Sequence, residues 1–250
     1  MGNISLDDNG NPVIGGFGDA TNALMQQLAT QAAAANIKIK VSFGGGGGSY
    51  DNLWNIITAA NVQSIATALV QFCQSLGLSG VDFDIETFAD STDRTALQTL
   101  CGNLIQLFKQ GDASLETSLC VNAGFGPNFP WQAIAANILN GTLSNGVTAL
   151  DRVYIMSYYN DIVSEQGWVS GWVGWLSDTY SIPSQRVSVG LDNTDADAYN
   201  IGDFAAWAAT QQLGTAYWYV NPQTADTLAS SQASLNTIAT SYAAAAAALV

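Results

Sequence analysis

Residues 80–86 read GVDFDIE, which sets Asp82, Asp84 and Glu86 at alternate positions with Phe83 and Ile85 between them. On a β-strand a period of two sends all three carboxyls to one face and both apolar side chains to the other. Successive acids then stand roughly 6–7 Å apart. Carboxyls grouped this closely in restricted solvent resist ionising together, which favours shared protons and at least one acid that stays protonated toward neutral pH. Such a group can protonate a leaving oxygen. Two blander readings compete: an acidic strand edge facing solvent, and a cation site. A hard cation needs oxygens converging from several directions, and alternate acids on one strand do not by themselves wrap around an ion.

The surrounding pattern supplies elements that could hold the ladder. An Ala-rich helix is expected over about Asn22–Ala35, followed by a strand over Ile37–Phe43 and the glycine run Gly44–Gly48. That run lacks the GK[ST] ending of a phosphate-binding loop, so it reads as a tight backbone turn. Further helices are expected over about Ala60–Leu76, Arg94–Gln110 and Trp131–Leu139. The intervening strands are SGVDFDI, SLCVN, DRVYIMSYY, RVSVGLD and TAYWYV. This alternation argues for βαβ units around a mainly parallel sheet, and five or six such units favour a barrel over an open sheet. The amino end fits less well. ISLDDNGNPVI suggests a strand or hairpin around NGN and leaves an eight-strand count one unit short. The expected fold is therefore α/β, a TIM (β/α)8 barrel with its first β/α unit lacking or altered, in one catalytic domain over residues 1–250.

Composition narrows the partners. Twenty acidic against six basic residues give a formal net charge of −14, a field that disfavours nucleic acid and anionic membrane surfaces. A neutral ligand is compatible with it. The absence of histidine removes the commonest metal ligand and the usual base of serine and cysteine hydrolases, so neither metal nor cofactor is expected. Cys73, Cys101 and Cys120 are widely spaced in apolar surroundings and read as buried packing or an incidental disulfide. No basic stretch followed by an apolar core opens the chain, and SYAAAAAALV is too short to span a bilayer and reads as a closing helix. Compartment and oligomeric state stay open, with secretion compatible. Trp168, Trp172 and Trp175 recur at helical spacing, as a helix packed on the barrel or as a sugar track.

The ladder resembles the signature of family 18 glycoside hydrolases, the chitinase and endo-β-N-acetylglucosaminidase group: acid, Gly, any, Asp, any, Asp, any, Glu. Gly80, Asp82, Asp84 and Glu86 match it, while Ser79 stands at the first acidic position. The resemblance extends in chain order to Ser42-Phe43-Gly44-Gly45, similar to an SxGG strand, to Met156-Ser157-Tyr158, and to Trp218. It implies a TIM barrel that cleaves β-linked N-acetylglucosamine glycans, chitin first and N-glycans as the alternative, by substrate-assisted retention. A chitinase-like protein that binds carbohydrate without turnover is a further alternative. Glu86 would be the general acid and base, Asp84 would orient the substrate acetamido group, and Asp82 would hold Asp84. Tyr158 would contact the acetamido carbonyl. A one-residue alternative brings in Tyr159 and Asn160 instead, and on an undistorted strand the two choices exclude each other. Trp218 would floor the sugar site. Ser42, Gly45 and Gly80 would support the ladder by close packing, with Gly45 also near substrate.

Overall fold

The computed structural model describes residues 3–6, 12–15, 18–45, 56–85, 94–125, 149–192, 200–217 and 225–249. Their elements run β1 (Asn3–Leu6), β2 (Pro12–Gly15), α1 (Gly18–Ala34), β3 (Lys40–Gly44), α2 (Val62–Leu76), β4 (Gly80–Asp84), α3 (Arg94–Gly111) and β5 (Glu116–Asn122). They continue with β6 (Arg152–Met156), α4 (Ile162–Tyr180), β7 (Val187–Leu191), α5 (Ile201–Thr210), β8 (Gly214–Tyr217) and α6 (Ala225–Ala247). Strands β3 to β8 form one six-stranded sheet in chain order. β3 runs parallel to β4, β6 to β7 and β7 to β8. Sequential order with helices between parallel strands is the β/α succession of a TIM barrel. The amino end departs from it, as expected: β1 and β2 pair antiparallel with each other in a separate two-stranded sheet. The helix expected at Trp131–Leu139 lies outside the described residues.

The chain divides into two compact units, one of residues 1–119 with 137–151 and one of residues 120–136 with 152–250. In the first, α2 buries Val62, Ile65, Ala66, Leu69, Val70, Cys73 and Leu76, the recurrence at three and four residues that makes one apolar helical face. It ends where Gly77 turns left-handed at φ 67° and the Gly77 and Leu78 amides close on Gln74 O and Cys73 O. Phe43 of β3, Phe83 of β4 and Phe108 of α3 then meet edge to face, at centroid distances of 6.3 and 6.2 Å. Phe83 therefore packs toward a helix, which leaves the opposite face of β4 to the acids. β3 begins at Lys40, later than the expected Ile37, because Ile39 N and O bond to Ser79, which precedes β4.

In the second unit Asp161 caps α4 by accepting from the Val163 and Ser164 amides, and Asn200 caps α5 by accepting from the Gly202 and Asp203 amides. α5 packs on α6, whose Tyr242 hydroxyl donates to Leu213 O at 2.7 Å. The tryptophans of α4 divide between roles. Trp172 is buried, donates from Nε1 to Ala123 O at 3.3 Å and meets Trp175 edge to face at 5.6 Å, whereas Trp168 is 38% exposed. The Ala-rich carboxyl end belongs to α6, and no helix among the described residues is long and apolar enough to cross a membrane.

Candidate active site

β4 carries the first two acids of the ladder, and both are buried: Asp82 is 4% exposed and Asp84 is fully enclosed. An acidic edge facing solvent is thereby excluded. Register aligns Lys40 with Gly80, Ser42 with Asp82 and Gly44 with Asp84 across β3 and β4. Small residues thus stand opposite both carboxyls. Gly44 and Gly45 take φ of 114° and 123°, a region open to glycine, and the Gly45 amide donates to Asp84 O at 2.9 Å. Gly45 so ties the end of β3 to the ladder. Ser42 Oγ is withdrawn from solvent and has no hydrogen-bond partner among the described residues.

Beneath the acids lies a polar network that spacing along one strand could not reveal. Ser118 Oγ of β5 donates to Asp82 Oδ1 at 2.5 Å, and Lys40 Nζ of β3 donates to Ser118 Oγ at 3.2 Å. Lys40 also pairs with Glu116 Oε1 at 2.7 Å, while Lys38 pairs with the other Glu116 oxygen. Burial raises the Asp82 carboxyl above its ordinary range, and the Ser118 hydrogen bond and Lys40 charge partly offset that rise. Burial would raise Glu116 as well. There the Lys40 charge and the bonds from both lysines prevail and bring it down to about 2.

Gly80 makes the network possible. Its φ is 152°, and a Cβ there would stand 1.8 Å from Glu116 O. With no side chain opposite it, Lys40 reaches across β4 to β5. Ser79, the departure from the motif, still braces the strands: Ser79 Oγ accepts from the Ile39 amide at 3.2 Å, and Ser79 O from the Glu116 amide at 2.8 Å.

The tyrosine candidates lie in the second unit. β6 ends at Met156, so strand alternation no longer governs Tyr158 and Tyr159. Tyr158 is 5% exposed and Tyr159 is 54% exposed, yet their rings are 4.7 Å apart at 56°. Neighbours on an undistorted strand would point oppositely. The alternation under which the two choices exclude each other therefore does not reach them, and the two rings lie together. Glu165 of α4, which the sequence reading missed, shapes this turn: its Oε1 accepts from the Tyr159 and Asn160 amides at 3.1 and 3.0 Å. Burial pushes the Glu165 carboxyl above its ordinary range. The only sequence signal was an acid in the first turn of a helix.

Glu86 and Trp218 lie outside the described residues. Among those described, no group of three or more His, Cys, Asp or Glu side chains could hold a metal ion. Cys73, Cys101 and Cys120 are buried thiols, and burial pushes the first two up to about 12.

The family model for Glycosyl hydrolases family 18 matches residues 3–223. The chain belongs to that family. Within this glycosyl hydrolase family, a chitinase from Cycas revoluta solved with (GlcNAc)3 aligns at TM-score 0.65 and 12% identity, covering 97% of this chain and 90% of that one. A Chromobacterium violaceum chitinase aligns at 0.60 and 14%, covering 94% and 90%. A Rhizomucor miehei chitinase gives 0.59 and 13%, covering 90% and 87%. At such identities the likeness is one of fold. Comparison with curated proteins found no match.

Proposed function

We propose that this family 18 hydrolase cleaves β-1,4-linked N-acetylglucosamine polymers or oligomers, chitin among them, by substrate-assisted retention. The observation that carries the reading is the burial of Asp82 and Asp84 on the strand leading to Glu86, in a chain of this family. Glu86 donates a proton to the glycosidic oxygen as the acetamido carbonyl oxygen of the same sugar attacks the anomeric carbon. The glycosidic bond breaks, and the leaving sugar departs with that proton. Asp84 accepts from the acetamido N–H and stabilises the oxazolinium, and Asp82 holds Asp84. Water then attacks the anomeric carbon, breaks its bond to the acetamido oxygen and gives its proton to Glu86, and the second inversion restores the original configuration. Tyr158 hydrogen-bonds the acetamido oxygen, with Tyr159 and Asn160 beside it, and Trp218 stacks on the sugar face. On this reading residues 1–250 act as one catalytic domain.

Incubation with chito-oligosaccharides and with an N-glycan, in parallel with Glu86→Gln, tests this. Products from the unmodified protein, absent from a variant that still binds, are the expected result. Equal turnover by both proteins removes Glu86 from its role. Cleavage of the N-glycan alone moves the substrate to the endo-β-N-acetylglucosaminidase class, and binding without products makes the protein a carbohydrate-binding module.

A further inference from the structure

We infer that Lys40 and Ser118 are positioning residues of the acid ladder: the ammonium orients the hydroxyl, and the hydroxyl holds Asp82 ionised when the proton it shares passes to Asp84. The inference rests on the roles given above to Asp82 and Asp84. It starts from donor arithmetic. An ammonium has only donors, so Ser118 Oγ must accept from Lys40 Nζ at 3.2 Å. The single hydroxyl proton is then left for Asp82 Oδ1, at 2.5 Å. That separation belongs to hydrogen bonds from hydroxyl to carboxylate, and it makes Oδ1 an acceptor. Any proton on Asp82 must sit on its other oxygen.

The charged and polar groups facing Asp82 come from three strands. Ser42 and Lys40 face it from β3, Asp84 follows it on β4, and Ser118 and Glu116 stand on β5. Glu116 would neutralise a lone Lys40. Lys38 occupies its second oxygen, so the two lysines and one glutamate keep a net positive charge beneath the aspartates. The Lys40 side chain is 6% exposed, which shields that charge from solvent and keeps its influence on Asp82 strong.

The test compares Ser118→Ala, Lys40→Arg and the double variant Lys40→Met/Glu116→Gln, which avoids leaving the Glu116 carboxylate without its buried ammonium. Carbon-13 NMR of the aspartate carboxyls, with Asp82 assigned through Asp82→Asn, follows titration without requiring turnover. The Asp82 midpoint should rise by about one pH unit or more in Ser118→Ala, rise by less in the double variant, which loses the orienting ammonium but keeps the net charge of the cluster through Lys38, and stay near its native value in Lys40→Arg. The acid limb of kcat/KM on chito-oligosaccharide should move up with it. An unchanged Asp82 midpoint in both the alanine and double variants overturns the inference, whether or not the protein hydrolyses glycan. A raised midpoint in a protein inactive on every glycan upholds the electrostatic link and defeats the proposed hydrolysis instead.

Discussion

Gly80 and Glu116 approach so closely that a single carbon added to the glycine would stand 1.8 Å from the glutamate carbonyl oxygen. Backbone cannot yield there as a flexible side chain could, and φ of 152° is costly for any other residue. Gly80→Ala should therefore destabilise the fold by about 3 kcal/mol or more, combining overpacking with backbone strain. Urea unfolding measures this, and a loss under about 1 kcal/mol would contradict the close approach.

Glu116 should give the protein an acid-labile component of stability. Its folded carboxyl is brought down to about 2, against an ordinary 4.5, so the contribution is complete above the ordinary midpoint and is lost as pH falls from there toward 2. With allowance for solvent around the exposed Lys38, on the order of 2 kcal/mol is at stake. Glu116→Gln should flatten this part of the pH–stability curve, measured by unfolding across that range.

Glu165 should act with the opposite sign. Burial raises its carboxyl, so the folded protein binds that proton more tightly than the unfolded chain, and stability falls as pH climbs from the ordinary carboxylate range through the raised midpoint. Glu165→Gln keeps an acceptor for the Tyr159 and Asn160 amides and should abolish the slope. Glu165→Ala should cost about 1–3 kcal/mol by stranding those donors. Thermal melts between about pH 4 and pH 8 distinguish the two.

The tyrosine pair separates by chemistry. On the proposed mechanism Tyr158→Phe removes a donor to the acetamido oxygen and should lower kcat by about 10²-fold with little change in KM. Tyr159→Phe should lower it less. The reverse ranking in steady-state kinetics would transfer the contact to Tyr159.

Much of this was legible in the sequence because it follows from local periodicity. The strand around Asp82, the helices on either side and the antiparallel amino end all emerge from alternation and helical recurrence. What escaped depends on register between strands. Lys40 and Ser42 stand at alternate positions of β3, but only the alignment of Lys40 with Gly80 shows how a lysine on β3 reaches β5. The tyrosine turn escaped for another reason. Alternation was carried past Met156, where the strand ends and the chain bends.

The enclosed Trp172 and its neighbour Trp175 have a consequence for observing the molecule. Among the described residues the tryptophans, Trp168, Trp172, Trp175 and Trp207, all belong to the second unit. Intrinsic fluorescence is therefore a nearly selective reporter of one unit, with a red shift marking the wetting of the indole that now bonds Ala123 O. A backbone signal followed alongside it would reveal whether the half bearing Asp82 and Asp84 melts in step or by itself.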